Sequence, residues 1–302
     1  MPHESSQRMP RVAVVTPVFN KIALTLRFLE SFTRVDYSPR TIIIVDDGST
    51  DNTREILAEQ FPEVIVLRGD GNLWWSGCTN RGVRRALEMG HDYVLTINND
   101  VIVRPDFLSR LVATARAHPR SLVGARINFL EEPGKIWAVG ASAHWDTDLV
   151  MQCNCQGGQE DDIVPRLHDP SPVQALTGCG ALIPASCYRE VGFYDDRWFP
   201  QYHGDSEFAL RAARHGYRIF VDLKAVVFNN SHNTSSETNI FSRRSPWFWR
   251  PLLGLRLRHC PRRRMVGNLR AYGAWFFQQV RLQTRRAIKK ILPRWLLPAS
   301  ST

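Results

Sequence analysis

Four short runs rich in branched apolar residues recur through the first hundred positions, each followed by a segment with helical spacing. The runs are Arg11 to Val18, Thr41 to Val45, Val64 to Leu67 and Asp92 to Ile97. Between the first two, Leu24, Phe28, Leu29 and Phe32 fall on one side of a helix over 19–34. Further helices are expected from Asn52, over Ser76 to Met89, and from Pro105 to about Ala117. A strand that reads as continuous apolar residues is buried on both faces. The repeated alternation therefore predicts an α/β fold with a mainly parallel central sheet covered by helices on both sides.

Open sheets of this kind place their ligands beyond the carboxyl ends of the strands. Two of these runs end in acids. Thr41 to Val45 leads into Asp46-Asp47-Gly48-Ser49, and Asp92 to Ile97 into Asn98-Asn99-Asp100 before Val101 to Val103 resumes the apolar pattern. A third set, Asp205-Ser206-Glu207, follows Gly204 at a predicted helix start. Each has a structural alternative. Asp46 and Asp47 suit a cap made with Ser49 or Thr50, Asp100 suits a turn, and Asp205 meets the positive end of a helix dipole. The functional reading takes Asp100 as the contact for a hard divalent cation, Mn²⁺ or Mg²⁺, carrying a diphosphate, because such ions take carboxylates together with substrate phosphates.

No glycine-based nucleotide loop competes with this reading. Thr16-Pro17-Val18-Phe19-Asn20 stands where a G-x-G-x-x-G would follow the first strand, and there is no Walker lysine motif. The net charge of +10 resides in the tail. Residues 238–302 hold 15 of the 39 basic residues and none of the 29 acidic ones, leaving 24 basic against 29 acidic side chains in the remainder. A basic nucleic-acid-binding core is thereby disfavoured. The six cysteines are scattered, with Cys153 and Cys155 the one close pair, which argues against a zinc site and for buried thiols in a reducing compartment. The N-terminus has no apolar signal core, and no apolar run reaches the length of a spanning helix. A cytoplasmic location is expected.

After residue 122 the regularity loosens. Strands are expected over 122–127 and 136–145, a flap over 151–172, a helix over 206–215 and a strand over 217–222. Thr177-Gly178-Cys179-Gly180-Ala181 is a run of small residues that permits close backbone approach.

Val14 to Asn20, Val45-Asp-Asp-Gly-Ser49, Gly71-Asn72 to Asn80-Arg-Gly82, Ile97 to Val101 and Asp205 to Tyr217 resemble, in order and spacing, the motifs of glycosyltransferase family 2. Asn72 to Gly77 together with Asn98-Asn99-Asp100 most resembles its bacterial rhamnosyltransferase-like branch. The resemblance covers about residues 10 to 235. It implies a GT-A fold and inverting transfer from a nucleoside-diphosphate sugar donor to a hydroxyl of a polysaccharide or lipid-linked glycan acceptor, with L-rhamnose as a candidate sugar. Asp46 or Asp47 would contact the base or ribose near Thr16 and Pro17. Asn72, Asn80 and Asn99 would join the nucleotide contacts. Asp100 would hold the metal and Asp205 would be the catalytic base, with Glu207 beside it to raise its pKa. Trp75, Gly178, Cys179, Gly180 and Glu207 would lie along the donor sugar and acceptor, and Trp74 and Trp198 are further stacking candidates. Asn98 departs from the family's commoner D-x-D triplet. One carboxylate fewer leaves room for a further ligand, for which His232 is the candidate.

The chain accordingly divides into a GT-A domain over 10–237 and a basic, aromatic-rich helical tail over 238–302. Arg262-Arg-Arg264, Arg285-Arg286 and Lys289-Lys290 alternate with Trp275, Phe276, Phe277 and Trp295. Basic residues with interfacial aromatics suit a helix lying on an anionic membrane surface. That predicts peripheral association with the inner face of the membrane and no nucleic-acid partner. Two other functions fit less well: a sugar-phosphate nucleotidyltransferase, which would carry a glycine-rich basic loop after its first strand, and an inactive membrane scaffold.

Overall fold

The computed structural model describes residues 8–145, 150–230 and 246–261, without the side chains of 246–250 and 252. The first hundred residues alternate as expected: strands β1 (Val12–Val18), β2 (Arg40–Asp46), β3 (Ile65–Arg68) and β4 (Tyr93–Thr96) are joined by helices α1 (Ile22–Thr33), α2 (Thr53–Gln60) and α3 (Trp74–Glu88). Strand β5 (Val101–Val103) and helix α4 (Phe107–Ala117) lead to the long β6 (Ser121–Phe129). A flap region follows, with β7 (Ile136–Ala138), β8 (Ala141–Ala143), β9 (Met151–Cys153), the single-turn α5 (Glu160–Ile163) and β10 (Ser171–Pro172). The chain then returns to the core through β11 (Ala181–Pro184), α6 (Ala185–Val191), α7 (Gly204–Arg214) and β12 (Arg218–Asn229), and α8 (Pro246–His259) is the last described element.

The main sheet has the order β10-β12-β6-β11-β4-β1-β2-β3. β1 pairs in parallel with β2 and β4, β2 with β3, and β6 with β12. The edge strand β10 is antiparallel to β12, and in the middle of the sheet β11 runs antiparallel between β4 and β6. Its reversal carries Thr177 to Gly180 to the carboxyl end of β4, since Ala181 lies opposite Thr96. β5 lies antiparallel to the end of β12, placing Asn229 opposite Val101. The expected strand over 136–145 is two short strands, because Gly140 takes a φ of 63° between them.

Each face of the sheet has its own apolar layer. Phe28, Leu29 and Phe32 of α1 and Phe107, Leu108 and Leu111 of α4 cover one side, where Val12, Val14 and Leu95 point. Val83 and Ala86 of α3, Tyr188 of α6 and Phe208 and Ala212 of α7 cover the other, where Val15, Val45 and Val94 point. Each large apolar side chain buried in this way contributes roughly 1.5–3 kcal/mol. The two faces thus receive alternate residues of the same strands. The same alternation sends successive polar residues at a strand end to different sides of the cleft.

Candidate active site

The β2 end is organised internally. Asp46 is fully buried; its Oδ1 accepts the Ser49 N–H at 3.0 Å, and its Oδ2 lies 3.2 Å from Arg54 Nε. Asp47 accepts the Gly71 N–H at 2.9 Å through Oδ1 and the Trp74 N–H at 3.0 Å through Oδ2. It thereby fixes the turn that starts α3. Ser49 does not cap α2. Its hydroxyl accepts the Asn20 N–H at 2.7 Å, and α2 starts from a left-handed Asn52 with no side-chain cap. Thr16 lies at the end of β1, fully buried, with its hydroxyl unpartnered, and Pro17 beside it is partly exposed.

The β4 end is arranged differently. Asn99 turns toward α1 and donates to Thr25 Oγ1 at 2.9 Å. Asn98 turns toward α3, where its Oδ1 accepts the Trp75 indole N–H at 2.9 Å. Asp100 keeps a buried Oδ1 with no hydrogen-bond partner. Burial raises its pKa, opposed by its own backbone N–H and by the Lys21 charge.

Sequence reading missed Asn230. Its N–H donates to the Asp100 carbonyl at 3.2 Å, continuing the β5–β12 ladder by one residue. Directly opposed residues of an antiparallel pair project on the same side. The Asn230 Oδ1 is also buried and without a partner. Two buried oxygen acceptors on the same side of the pair, neither with a hydrogen-bond partner among the described residues, suit a hard cation, which takes carboxylate and amide oxygens and shares the rest of its shell with phosphates. Among the described residues no three His, Cys, Asp or Glu side chains converge on a metal. The residues present therefore fit an ion that depends on its substrate for ligands. His232 lies outside the described residues.

The third acid reaches the same place through β11. Asp205 sits in the first turn of α7; its Oδ2 accepts the Gly178 N–H at 2.6 Å and its Oδ1 the Ser206 N–H at 2.7 Å. Two charge-assisted bonds and the helix terminus hold it as an oriented carboxylate. Gly178 has no alternative residue: a Cβ there would collide with the Trp75 ring. Cys179 is buried, and burial with the nearby Asp100 and Asp205 charges pushes its thiol pKa well up, so it is no nucleophile. Gly180 donates to the Thr96 carbonyl at 2.9 Å and extends the β11–β4 pairing. Half-buried His203 precedes Asp205; burial holds its ring below the usual pKa range, while the Asp205 charge opposes this.

Two further residues take structural places. Asn80 is buried in α3; its amide donates to the Tyr194 carbonyl at 2.9 Å and to Asp196 Oδ2 at 3.2 Å, while its Oδ1 accepts the Tyr194 N–H. It braces the segment before α7. Asn72 is exposed at the turn held by Asp47.

Glu207, expected beside Asp205, is held by basic side chains. It is 1% exposed and bonded to Arg211 at 2.9 Å, with His259 Nε2 at 3.4 Å and Arg258 at 3.7 Å. Burial alone would lift its pKa, but hydrogen bonds from His259 and Arg211, with their charges, bring it to about 2. The partners come partly from α8. Arg258 also meets Asp195 at 2.6 Å, and Gly254 lies close against Trp198 and Phe199. Arg256, a tail cation, is likewise buried, so this first tail helix directs basic groups into the protein. The basic clusters beyond Pro261 lie outside the described residues. No described helix is long and apolar enough to cross a membrane.

Comparison with known proteins finds relatives by sequence and by fold. The profile of Glycosyl transferase family 2 matches residues 13–154. The N-acetylglucosaminyl-diphospho-decaprenol L-rhamnosyltransferase of Mycobacterium tuberculosis is 27% identical over 264 residues, covering 75% of this chain and 82% of that one. The succinoglycan biosynthesis protein ExoA of Rhizobium meliloti is 28% identical over 218 residues, covering 70% of this chain and 60% of that one. Among solved structures, GalNAc-T7 with UDP, GalNAc and Mn²⁺ superposes with a TM-score of 0.60 at 13% identity, over 74% of this chain and 44% of that one. That likeness concerns the fold, which is GT-A, and this chain spans less than half of that protein. The chain is thus similar to glycosyltransferase family 2 proteins, a mycobacterial L-rhamnosyltransferase among them.

Proposed function

We propose that the protein transfers a sugar, with L-rhamnose the first candidate, from a nucleoside-diphosphate donor to a hydroxyl of a polysaccharide or lipid-linked glycan, with inversion. The observation that carries this reading is the bond from the Gly178 N–H to Asp205. Through β11 it brings an oriented carboxylate beside the Asp100 end of β4. Asp205 acts as the general base: it takes the proton of the acceptor hydroxyl as that oxygen attacks the anomeric carbon from the side opposite the leaving diphosphate. Such a positioned carboxylate contributes roughly 10²–10⁴-fold. Asp100 and Asn230 hold Mn²⁺ or Mg²⁺, with His232 a further candidate. The bound ion offsets charge that develops on the departing nucleoside diphosphate. Thr16, Pro17, Asp46, Asp47 and Asn72 surround the nucleotide, with Asn80 and Asn99 supporting the walls of its pocket.

The relatives support the acceptor class, since one is an N-acetylglucosaminyl-diphospho-decaprenol L-rhamnosyltransferase and another a succinoglycan biosynthesis protein. A lipid-linked acceptor also accords with peripheral attachment of the basic tail to an anionic membrane surface on the cytoplasmic side. Truncation after Pro261, which keeps α8, should reduce sedimentation with anionic vesicles; unchanged sedimentation would reject the attachment.

The test of the main reading is a panel of nucleotide sugars given to the purified full chain with Mn²⁺, scored by donor hydrolysis, transfer and product anomeric configuration. Asp205→Asn should lower transfer by roughly 10²–10⁴-fold while leaving donor binding near wild type. Full transfer by that variant, or a product with retained configuration, would sink the assignment.

A further inference from the structure

Asn98 occupies the position where the family's commoner triplet has a carboxylate, and its surroundings determine what it offers instead. The Trp75 indole has one polar atom, a donor, and it points at Asn98 at 2.9 Å. An amide can meet an N–H donor only through its oxygen. Turning the amide over would set two donors against each other, so Trp75 fixes which end of Asn98 faces it. The indole itself cannot swing. Its ring packs against Gly178, where a Cβ does not fit, and meets the Tyr194 ring edge-on at 5.4 Å and 82°. Its backbone N–H bonds to Gln201 Oε1 at 3.2 Å, and its carbonyl accepts from Thr79 at 2.7 Å.

With the oxygen taken, Asn98 has its NH₂ left. That group has no acceptor among the described residues and is not among the buried unpartnered atoms. It is therefore an oriented donor open to the cleft, two residues from Asp100. Through Trp75 and Gly178 it is also linked to Asp205. We infer that Asn98 is not a metal ligand but a donor-binding residue, giving N–H bonds to an oxygen of the bound nucleotide sugar. This inference rests on the nucleotide-sugar reading above. The oxygen belongs to the diphosphate or to a hydroxyl of the transferred sugar; both are acceptors and both pass between Asp100 and Asp205. Trp75 is then a positioning residue that aims the amide, not a stacking platform.

The decisive variant is Asn98→Asp, which keeps the size and still accepts the indole N–H but presents an anion where the NH₂ stood. Binding would be measured by calorimetry for UDP, GDP and dTDP and for their sugars, in EDTA and in Mn²⁺, with free Mn²⁺ followed by electron paramagnetic resonance. Asn98→Asp should weaken binding in EDTA by roughly tenfold or more, the usual consequence of losing a hydrogen bond to a charged or strongly polar oxygen. A loss for the bare nucleoside diphosphate assigns the contact to the phosphates. A loss confined to the nucleotide sugar assigns it to the sugar. Trp75→Phe should show the same pattern with a smaller factor, because the ring stays and only the aim is released. Wild-type affinity in Asn98→Asp, or tighter Mn²⁺ with transfer intact, would overturn the inference and make position 98 a metal site. Failure of the wild type to bind any nucleotide or nucleotide sugar would instead overturn the donor reading, and this inference with it.

Discussion

At the end of β2, Asp46 and Asp47 accept backbone N–H groups, and the one Asp46 oxygen without a hydrogen bond lies 3.2 Å from Arg54, while at the end of β4, Asp100 keeps a buried oxygen with neither a hydrogen bond nor an ion pair among the described residues. Both strands are parallel neighbours of β1 and end on the same side of the sheet. Both tails look alike as letters. The difference lies in what each carboxylate meets. Where N–H donors converge, the acid shapes a loop. Where none converge, burial leaves an acid poorly placed for its own charge, which a cation would relieve. Glu207 extends the contrast. It is 1% exposed, but Arg211, Arg258 and His259 lie against its carboxylate.

The sharpest way to break this comparison is at Asp100. Asp100→Asn should remove Mn²⁺ binding and lower transfer by several kcal/mol of transition-state stabilisation, roughly 10²-fold or more. Unaltered transfer would place the metal elsewhere. Next in size is Glu207→Ala, which leaves the partly exposed Arg211 and Arg258 and the buried His259 without their carboxylate and should cost about 1–3 kcal/mol of stability. A chemical denaturation midpoint that hardly moves would show that α8 is not anchored through this residue. Asp47→Ala leaves the Gly71 and Trp74 N–H groups without their acceptor and should cost about 1–3 kcal/mol, with donor affinity falling as the turn loosens. Loss of donor affinity with no loss of stability would mean that Asp47 touches the nucleotide directly.

The smallest effects are in the pH dependence, where the two kinds of acid should have opposite signs. The Glu207 pKa is depressed in the folded protein, so its contribution is complete above about pH 4.5 and is lost as pH falls toward about 2. The Asp100 pKa is raised, so the metal-free protein loses stability as pH climbs from the unfolded value through the folded one. Asp100→Asn should therefore stabilise the metal-free protein at neutral pH and have no such effect in acid. Thermal melts in EDTA across pH would check this, and destabilisation at neutral pH would contradict it.

Much of this was legible in the chain. Runs such as Thr41 to Val45 have one stable place, a strand covered on both faces, because nowhere else removes so much branched apolar surface from water. The alternation with helices then sets the parallel order of the first four strands and brings Asp46, Asp47 and Asp100 to one edge. The strand expected over 136–145 breaks at Gly140, whose positive φ interrupts the apolar run. β12 runs past the expected Asp222 to Asn229, and that extension brings Asn230 opposite Asp100.

The sequence by itself determined the layers, the strand ends and the residue types available there, because periodicity and burial are properties of short segments. The tertiary structure decided which polar atoms are satisfied. That depends on partners such as Gly178 for Asp205, Trp75 for Asn98 and His259 for Glu207, which stand 27, 23 and 52 residues away. A hydrogen bond is decided within a few tenths of an ångström between such distant groups. No local pattern encodes that distance, so the separation of loop-shaping acids from the one left with an unpartnered oxygen appears only when the chain is folded.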